Sequence, residues 1–140
     1  MYERLLIVFA MMAFLGGMFL LMKYRQIALA KHASRQSNNQ TGMATIVYFW
    51  SDGCSVCKKA QKPILEWLLA EYGSEHLALI AYNIDEAPNI AIAKKWGVMT
   101  LPTTILLDSA GTIRHVNNGL VVLDNLRKQL GPMISGIIPV

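Results

Sequence analysis

The chain has 140 residues, a net charge of +4 and 54% hydrophobic residues, which suffices for one ordinary domain and little more. Its lysines and arginines are spread along the sequence, and no basic stripe alternates with aromatic residues, which argues against a nucleic-acid partner. With only two cysteines, a scaffold held together by several disulfides is excluded.

The apolar residues are concentrated near the N-terminus. Residues 5–22 are 18 consecutive uncharged, mostly apolar residues, and as a helix they would extend over roughly 27 Å, close to the hydrocarbon thickness of a bilayer. No polar stripe interrupts the run, which disfavours a buried core helix. Lys23 and Arg25 follow the run before Ala28-Leu29-Ala30, a segment that resembles a signal-peptide cleavage site. The sequence predicts an uncleaved single-pass anchor over residues 1–22, with a core helix and a cleaved signal peptide as alternatives.

The charges flanking this run predict the side of the membrane on which the rest of the chain lies. Arg4 alone precedes the run, whereas four basic residues between Lys23 and Arg35 follow it. The positive-inside rule therefore predicts that the protein is anchored in a cell membrane with its C-terminal domain on the cytoplasmic side. Residues 23–42 are expected to continue the anchor helix and then to form a polar linker from Ser37 onward.

The remaining sequence alternates between strand and helix patterns. Strands are predicted at residues 45–50, 77–84, 103–107 and 112–116, and helices at residues 54–72, 85–95 and 121–130. Pro63 is expected to kink the first helix, and Gly131-Pro132 to end the last one. The βαβαββα order predicts a small α/β domain over residues 43–131, with its first two strands parallel and its final hairpin antiparallel. The apolar tail, residues 132–140, fits no helix or strand template.

The two cysteines lie three residues apart, directly after the first predicted strand. The strand ends at Trp50, a turn of Ser51-Asp52-Gly53 follows, and Cys54 and Cys57 begin the helix pattern. The free amides and the dipole of a helix start stabilise a thiolate, and Lys58 adds positive potential. We expect Cys54 to attack a substrate disulfide and Cys57, one turn further on, to resolve the mixed disulfide.

Other uses of a Cys-x-x-Cys pair fit the sequence less well. A zinc site would lack half of its ligands, because there is no second cysteine pair and His32, His76 and His115 are isolated. Covalent haem attachment requires a histidine where Lys58 stands. We predict no metal and no cofactor other than the redox-active Cys54–Cys57 disulfide, and a redox-inert relic of the motif is the alternative.

From Thr45 onward, over about two-thirds of the chain, the sequence resembles the thioredoxin family. The resemblance is carried by Phe49-Trp50, Cys54-Ser55-Val56-Cys57-Lys58, Asn83-Ile84-Asp85, Lys95-Trp96-Gly97-Val98, Leu101-Pro102-Thr103 and Gly119. It implies a thioredoxin-like fold and thiol–disulfide oxidoreductase activity on protein thiols. It also implies a cis peptide bond before Pro102, facing the dithiol. Four residues are then expected to contact an extended substrate segment: Trp50, Gly53, Leu101 and Pro102.

Several positions depart from the pattern of the family. Tyr48 stands where reducing members often carry a buried aspartate, and Ala81 stands where they carry its lysine partner. Gly53 replaces a tryptophan before the first cysteine, which leaves the site less covered. Without the aspartate, bound water or a substrate group would have to take the proton from Cys57. Tyr48 is retained, with Lys58, as a supporting residue of the site.

Two functions follow as hypotheses. The first is a membrane-anchored thiol–disulfide oxidoreductase that acts on membrane-associated protein thiols or disulfides. The second is an accessory subunit of a membrane complex that uses the fold as a binding module. Tyr48, Ala81 and the apolar tail favour it, as do the small residues Ala10, Ala13 and Gly17 on one face of the anchor. Many anchored thioredoxin-like proteins face outward, so the resemblance favours an extracytoplasmic domain, against the charge rule.

Overall fold

The chain forms a long N-terminal helix followed by a four-stranded sheet with helices on both faces. The computed structural model describes residues 2–36 and 42–134. The elements are α1 (Tyr2–Gln36), β1 (Ala44–Trp50), a π-helical segment (Cys57–Gln61), α2 (Lys62–Tyr72), β2 (Leu77–Asn83), α3 (Ala87–Lys95), β3 (Thr103–Leu107), β4 (Ile113–Asn118) and α4 (Leu123–Ile134). This order confirms the predicted α/β architecture.

The sheet has the strand order β2-β1-β3-β4. Strands β1 and β2 are parallel and are joined by a crossover through α2, and β3 is antiparallel to both β1 and β4. The parallel register places Tyr48 opposite Ala81, and the antiparallel register places Phe49 opposite Thr103. The start of β3 therefore lies beside the end of β1, where the cysteines follow.

Strand β1 is buried on both faces because helices cover both sides of the sheet. Ile46 and Tyr48 point towards the core formed with α2 and α4, whereas Val47 and Phe49 point towards the core formed with α3. Phe49 stacks on Tyr82 with ring centroids 5.3 Å apart. Burial on two faces explains why this strand is an unbroken apolar run rather than an alternating one.

The helix that follows the cysteines differs from the single predicted helix over residues 54–72. Residues Cys57–Gln61 form a π-helical segment in which the Lys62 amide donates to the Cys57 carbonyl, and regular α-helix begins at Lys62. Pro63 lies at the start of α2, directly after the π-helical segment, and it has no amide hydrogen to donate to the preceding turn. The helix therefore continues from Ser55 to Tyr72, close to the predicted bounds, with wider π-helical turns between Cys57 and the proline.

The last helix is longer than predicted, because Gly131-Pro132 does not end it. Helix α4 continues to Ile134 with Pro132 inside it. Proline in the final turn removes a single amide donor, and Leu126, Leu130 and Ile134 are all buried at helical spacing. Packing of this apolar face therefore outweighs the loss of one hydrogen bond. Residues 135–140 of the predicted tail lie outside the described residues.

Helix α1 is longer than the predicted apolar run and extends to Gln36. Within the described part of the chain, one segment, Leu6–Ala28, is long and apolar enough to cross a membrane, as either an anchor or a signal sequence can be. The apolar side chains from Leu6 to Met22 are exposed, and the C-terminal half of α1 contacts α3 and β4. The predicted linker from residue 37 to residue 41 lies outside the described residues.

Candidate active site

Cys54 and Cys57 form a disulfide at the point where β1 passes into the helix. The Cys54 amide donates to the Ser51 carbonyl at 3.1 Å, which closes the turn that follows the strand. The amide of Cys57 donates to Cys54 Sγ at 3.2 Å. Cys54 is half-buried, whereas Cys57 is completely buried. The outer sulfur is therefore the one that solvent reaches and that a backbone amide contacts.

The structure brings most of the predicted site residues together around one apolar cluster. Tyr48 and Cys57 belong to this cluster, and Trp50, Cys54 and Leu101 pack against it. The dithiol and the segment before β3 thus pack against the same apolar cluster, although Leu101 lies 44 positions after Cys57 in the sequence.

Three further predicted residues lie around this cluster. The Leu101–Pro102 peptide bond is cis, and Pro102 precedes Thr103, which pairs with Phe49 at the end of β1. Gly53 is exposed, and a Cβ atom added to it would meet no other atom within 4 Å, so the turn before Cys54 is open to a partner. The Lys58 side chain is also exposed, one residue after Cys57.

Tyr48 lies beneath the dithiol and contacts its inner residue. The Tyr48 hydroxyl donates to the Cys57 carbonyl at 2.9 Å, and this carbonyl also accepts the amide of Lys62. Tyr48 is 3% exposed, and burial raises its pKa to about 12. The phenol is therefore protonated at neutral pH and acts as a hydrogen-bond donor, not as a base for Cys57.

A buried glutamine joins the dithiol helix to the loop between β4 and α4. Gln61 is completely buried; its side-chain oxygen accepts the amide of Val121 at 2.9 Å and its side-chain nitrogen donates to the Val121 carbonyl at 3.3 Å. The side chain thereby satisfies both backbone groups of Val121, as a neighbouring strand would. We call Tyr48, Cys57, Gln61 and Val121 the dithiol support.

The end of β2 holds the turn that precedes Cys54. The amide of Asp52 donates to Asp85 Oδ2 at 2.6 Å, and the side chain of Asn83 donates to Asp52 Oδ2 at 3.0 Å. Asn83 Oδ1 in turn accepts the amide of Asp85 at 3.1 Å. These bonds give a structural role to the Asn83-Ile84-Asp85 segment, because they fix the turn leading into the dithiol.

On the other side of Pro102, a second set of polar contacts reaches α1. Gln26 is 4% exposed, and its side-chain amide exchanges two hydrogen bonds with that of Asn118, at 2.8 and 3.0 Å. Asn118 Oδ1 also accepts from the Thr103 hydroxyl at 3.4 Å, and this hydroxyl lies 2.6 Å from the Thr100 carbonyl. We call Gln26, Asn118, Thr103 and Thr100 the anchor junction. It connects α1 to the segment that carries Pro102.

No group of three or more His, Cys, Asp or Glu side chains that could hold a metal ion occurs in the described parts of the chain.

Comparison with known proteins identifies the family. A family model described as "TraF: F plasmid transfer operon protein" matches residues 23–130, which is more than half of the chain. The chain belongs to this thioredoxin-like family. The match covers the cysteine pair, all four strands and α1 from Lys23 onward, and it confirms the resemblance expected from the sequence.

Individual relatives agree with the thioredoxin-like assignment. Thioredoxin of Bacillus subtilis (strain 168) is 32% identical over 58% of this chain and 75% of its own length. Thioredoxin of Mycolicibacterium smegmatis is 31% identical over 51% of this chain, and the match spans less than two-thirds of that protein, 62%. A thioredoxin-like protein from Clostridium perfringens, solved in solution, superimposes with a TM-score of 0.56 at 28% identity, over 71% of this chain and 86% of that one.

Sequence reasoning missed the residues that hold this thioredoxin-like site in place. Gln61 had a detectable signal, since it is a polar residue at the helical spacing of the buried Cys57, Leu65 and Leu68. Gln26 and Asn118 had none, because they are 92 residues apart and each is ordinary in its own segment.

Proposed function

We propose that this protein is a membrane-anchored thiol–disulfide oxidoreductase, with Cys54 as the nucleophile and Cys57 as the resolving cysteine. The observation that carries the proposal is the asymmetry of the pair. Cys54 is partly accessible and its sulfur receives the amide of Cys57, whereas Cys57 is buried behind it. An amide aimed at a sulfur atom at a helix start stabilises the thiolate, which is the reactive form.

The reaction follows from this asymmetry, starting from the reduced dithiol. The Cys54 thiolate attacks one sulfur of a substrate disulfide, an S–S bond forms between them, and the second substrate sulfur leaves as a thiolate that takes up a proton. Cys57 then loses its proton and attacks the Cys54 sulfur, which forms the disulfide seen here and releases the first substrate sulfur as a thiolate. The substrate gains two electrons and the protein loses two. In reverse, the same steps oxidise a dithiol.

The surrounding residues support binding and proton transfer in this scheme. Trp50, Gly53, Leu101 and Pro102 form the surface on which an extended substrate segment lies beside Cys54. Lys58 adds positive potential that favours the thiolate. Because the pKa of Tyr48 is about 12, the proton of Cys57 goes to water or to the leaving substrate thiolate, not to the phenolic oxygen. The disulfide itself is the redox group, and no other cofactor takes part.

We further propose that α1 is an uncleaved single-pass anchor that holds the domain at the cell membrane. This is supported by the length and composition of Leu6–Ala28 and by its exposed apolar side chains. The substrates are then membrane-associated protein thiols or disulfides. The flanking charges favour the cytoplasmic face and the family resemblance the outer face. Labelling of Cys54 with an impermeant thiol reagent, in intact and in permeabilised cells after reduction with a membrane-permeant reductant, decides between them.

The redox proposal is tested with the full-length protein in detergent. Titration against a dithiol buffer, followed by alkylation of free thiols, is expected to show one reversible two-electron couple. Cys54→Ser is expected to abolish insulin reduction, whereas Cys57→Ser is expected to trap a mixed disulfide through Cys54. The absence of a reversible couple, or insulin reduction unchanged in Cys54→Ser, would show that the protein is not an oxidoreductase.

A second candidate is an accessory subunit of a membrane complex that keeps the fold as a binding module. It is favoured by the pairing of Tyr48 with Ala81, which puts no charged pair beneath the dithiol. Purification from the native membrane in mild detergent tests it. A stoichiometric complex that assembles equally well after replacement of both cysteines supports the binding module, and a free monomer contradicts it.

A further inference from the structure

Exposed apolar side chains from two loops share a groove with α1. Met99 lies before the cis-proline segment, and Leu120 and Val122 lie in the loop between β4 and α4. These three side chains are 48–60% exposed. The opposite wall of the same groove is formed by Phe19 and Met22 of α1. We call Met99, Leu120 and Val122 the apolar loop patch.

The position of Phe19 and Met22 along α1 determines how deep this patch lies relative to a bilayer that α1 spans. Both residues belong to the apolar run of residues 5–22, which ends at the first charged residue after it, Lys23. At 1.5 Å per residue, Phe19 lies only about 5 Å from this charged end of the run. Side chains that face Phe19 across a groove must lie at nearly the same level. The apolar loop patch is therefore level with the edge of the hydrocarbon layer when α1 spans a bilayer.

The anchor junction connects the domain to α1 next to this level. Helix α1 is unbroken from Tyr2 to Gln36, and Gln26, about one turn beyond Met22, is held by two hydrogen bonds to Asn118. Asn118 immediately precedes the loop that carries Leu120 and Val122. The polar contacts thus begin where the apolar wall of the groove ends, as expected where a protein surface passes from lipid into water.

Charged and aromatic side chains surround the same level of the molecule. Lys23, Tyr24 and Arg25 follow the apolar run on α1 and are exposed. Arg114 on β4, which also donates to Asp108 Oδ2 at 2.7 Å, lines a second depression together with Lys23 and Gln26. Basic side chains at this height meet the headgroups of anionic lipids, and tyrosine is common at the membrane interface. The basic side chains and the tyrosine at this level therefore match the chemistry of an anionic bilayer surface.

We propose that the apolar loop patch docks onto the surface of an anionic bilayer, so that the cis-proline side of the domain lies against the membrane. The inference rests on the proposed role of α1 as an anchor. Burial of the patch removes three apolar side chains from water, which favours docking. It also narrows the substrate class, since a substrate reaches the dithiol only with its reactive sulfur at the membrane surface.

Photocrosslinking of the full-length protein tests the docking. The protein is reconstituted in vesicles of equal parts phosphatidylcholine and phosphatidylglycerol, with p-benzoylphenylalanine introduced singly at Met99, Leu120 or Val122. The matched control position is Trp67, which is similarly exposed but lies on α2. We expect several-fold more lipid adduct, measured by mass spectrometry, at each of the three positions than at Trp67. Use of three positions makes the result independent of the folding of any one variant.

Each other outcome overturns part of the proposal. Lipid adducts no more frequent than at Trp67 show that the patch does not touch the bilayer. Adducts to a second copy of the chain, in place of lipid, show that it is a protein interface. Equal yields in vesicles of pure phosphatidylcholine show that anionic lipid plays no part.

Alkaline carbonate extraction separates these failures from failure of the anchor. If the protein leaves the vesicles, the proposed anchoring is wrong. If it stays without lipid adducts at the patch, only the docking is wrong.

Discussion

The dithiol support and the anchor junction contain the same kind of contact but differ in burial. In each, a glutamine side chain forms hydrogen bonds with polar groups in a distant part of the chain. Gln61 is completely buried and bonds both backbone groups of Val121, whereas Gln26 bonds the side chain of Asn118, a residue that remains exposed to solvent.

The two contacts differ in whether water can replace the glutamine as a hydrogen-bond partner. Water reaches Asn118 but does not reach the amide of Val121, so the cost of breaking the two contacts is unequal. We therefore expect the dithiol support to determine the stability of the domain. The anchor junction is expected to determine the placement of the segment that carries Pro102 relative to α1.

The largest effect is expected from breaking the dithiol support with Gln61→Ala. This change leaves a buried amide and a buried carbonyl of Val121 without partners, and each unsatisfied group costs about 1–3 kcal/mol. We expect the free energy of unfolding to fall by about 3 kcal/mol. Denaturant unfolding of the full-length protein in detergent, followed by tryptophan fluorescence, measures it.

A matched control for Gln61→Ala is Gln129→Ala. Gln129 makes the same reciprocal amide contacts, to Asn117 at 2.9 and 3.0 Å, in a partly buried position. We expect this control to lose less than about 1 kcal/mol. Equal losses in the free energy of unfolding of the two variants would show that burial does not determine the cost of breaking these contacts.

A smaller effect is expected from Tyr48→Phe within the dithiol support. The Cys57 carbonyl keeps the amide of Lys62 as a donor, so removal of the hydroxyl is expected to cost about 1 kcal/mol at neutral pH. The folded-state pKa of Tyr48, about 12, lies above its ordinary value of 10.0. The wild type therefore has the full stabilisation below pH 10 and loses it as the pH rises towards 12.

Denaturant midpoints measured from pH 8 upward test the role of the Tyr48 hydroxyl. The difference between wild type and Tyr48→Phe is expected to be constant up to about pH 10 and to shrink above it. A difference that stays constant across the alkaline range would contradict the assignment of the raised pKa to Tyr48.

The smallest effect on stability is expected from Gln26→Ala at the anchor junction. Because Asn118 regains hydrogen bonds to water, the loss is expected to be below about 1 kcal/mol, with a coupling energy to Asn118→Ala of about 0.5–1 kcal/mol in a double-mutant cycle. The change also loosens Thr103 and Thr100 beside Pro102, so the KM for insulin reduction is expected to rise while kcat is unchanged.

The Gln26 prediction also has a matched comparison in the chain. The Asn117–Gln129 pair has the same chemistry as Gln26–Asn118 and begins one residue earlier on β4, but it does not include α1. Gln129→Ala is expected to leave the KM unchanged. If both variants raise the KM equally, the anchor junction does not position the cis-proline segment.

The fold and the chemistry of the site were predictable wherever the signal was local. The apolar run of residues 5–22, the strand patterns and the Cys54-Ser55-Val56-Cys57 motif each lie within one segment, and so do the residues on which the thioredoxin-like resemblance rests. One local signal failed: Pro132 does not end α4, because the burial of Ile134 extends the helix past it. There, packing outweighed an intrinsic preference.

The sequence by itself determined that an apolar helix precedes a small α/β domain and that a cysteine pair stands at the start of a helix. Only the tertiary structure decided that Gln61 meets Val121 and that Gln26 meets Asn118, across 60 and 92 residues. Side-chain amides can pair with any polar group, so their partners depend on which surfaces the packed core brings together. The apolar periodicity that forms this core is local in sequence, whereas the polar contacts that hold the site exist only after the core has formed.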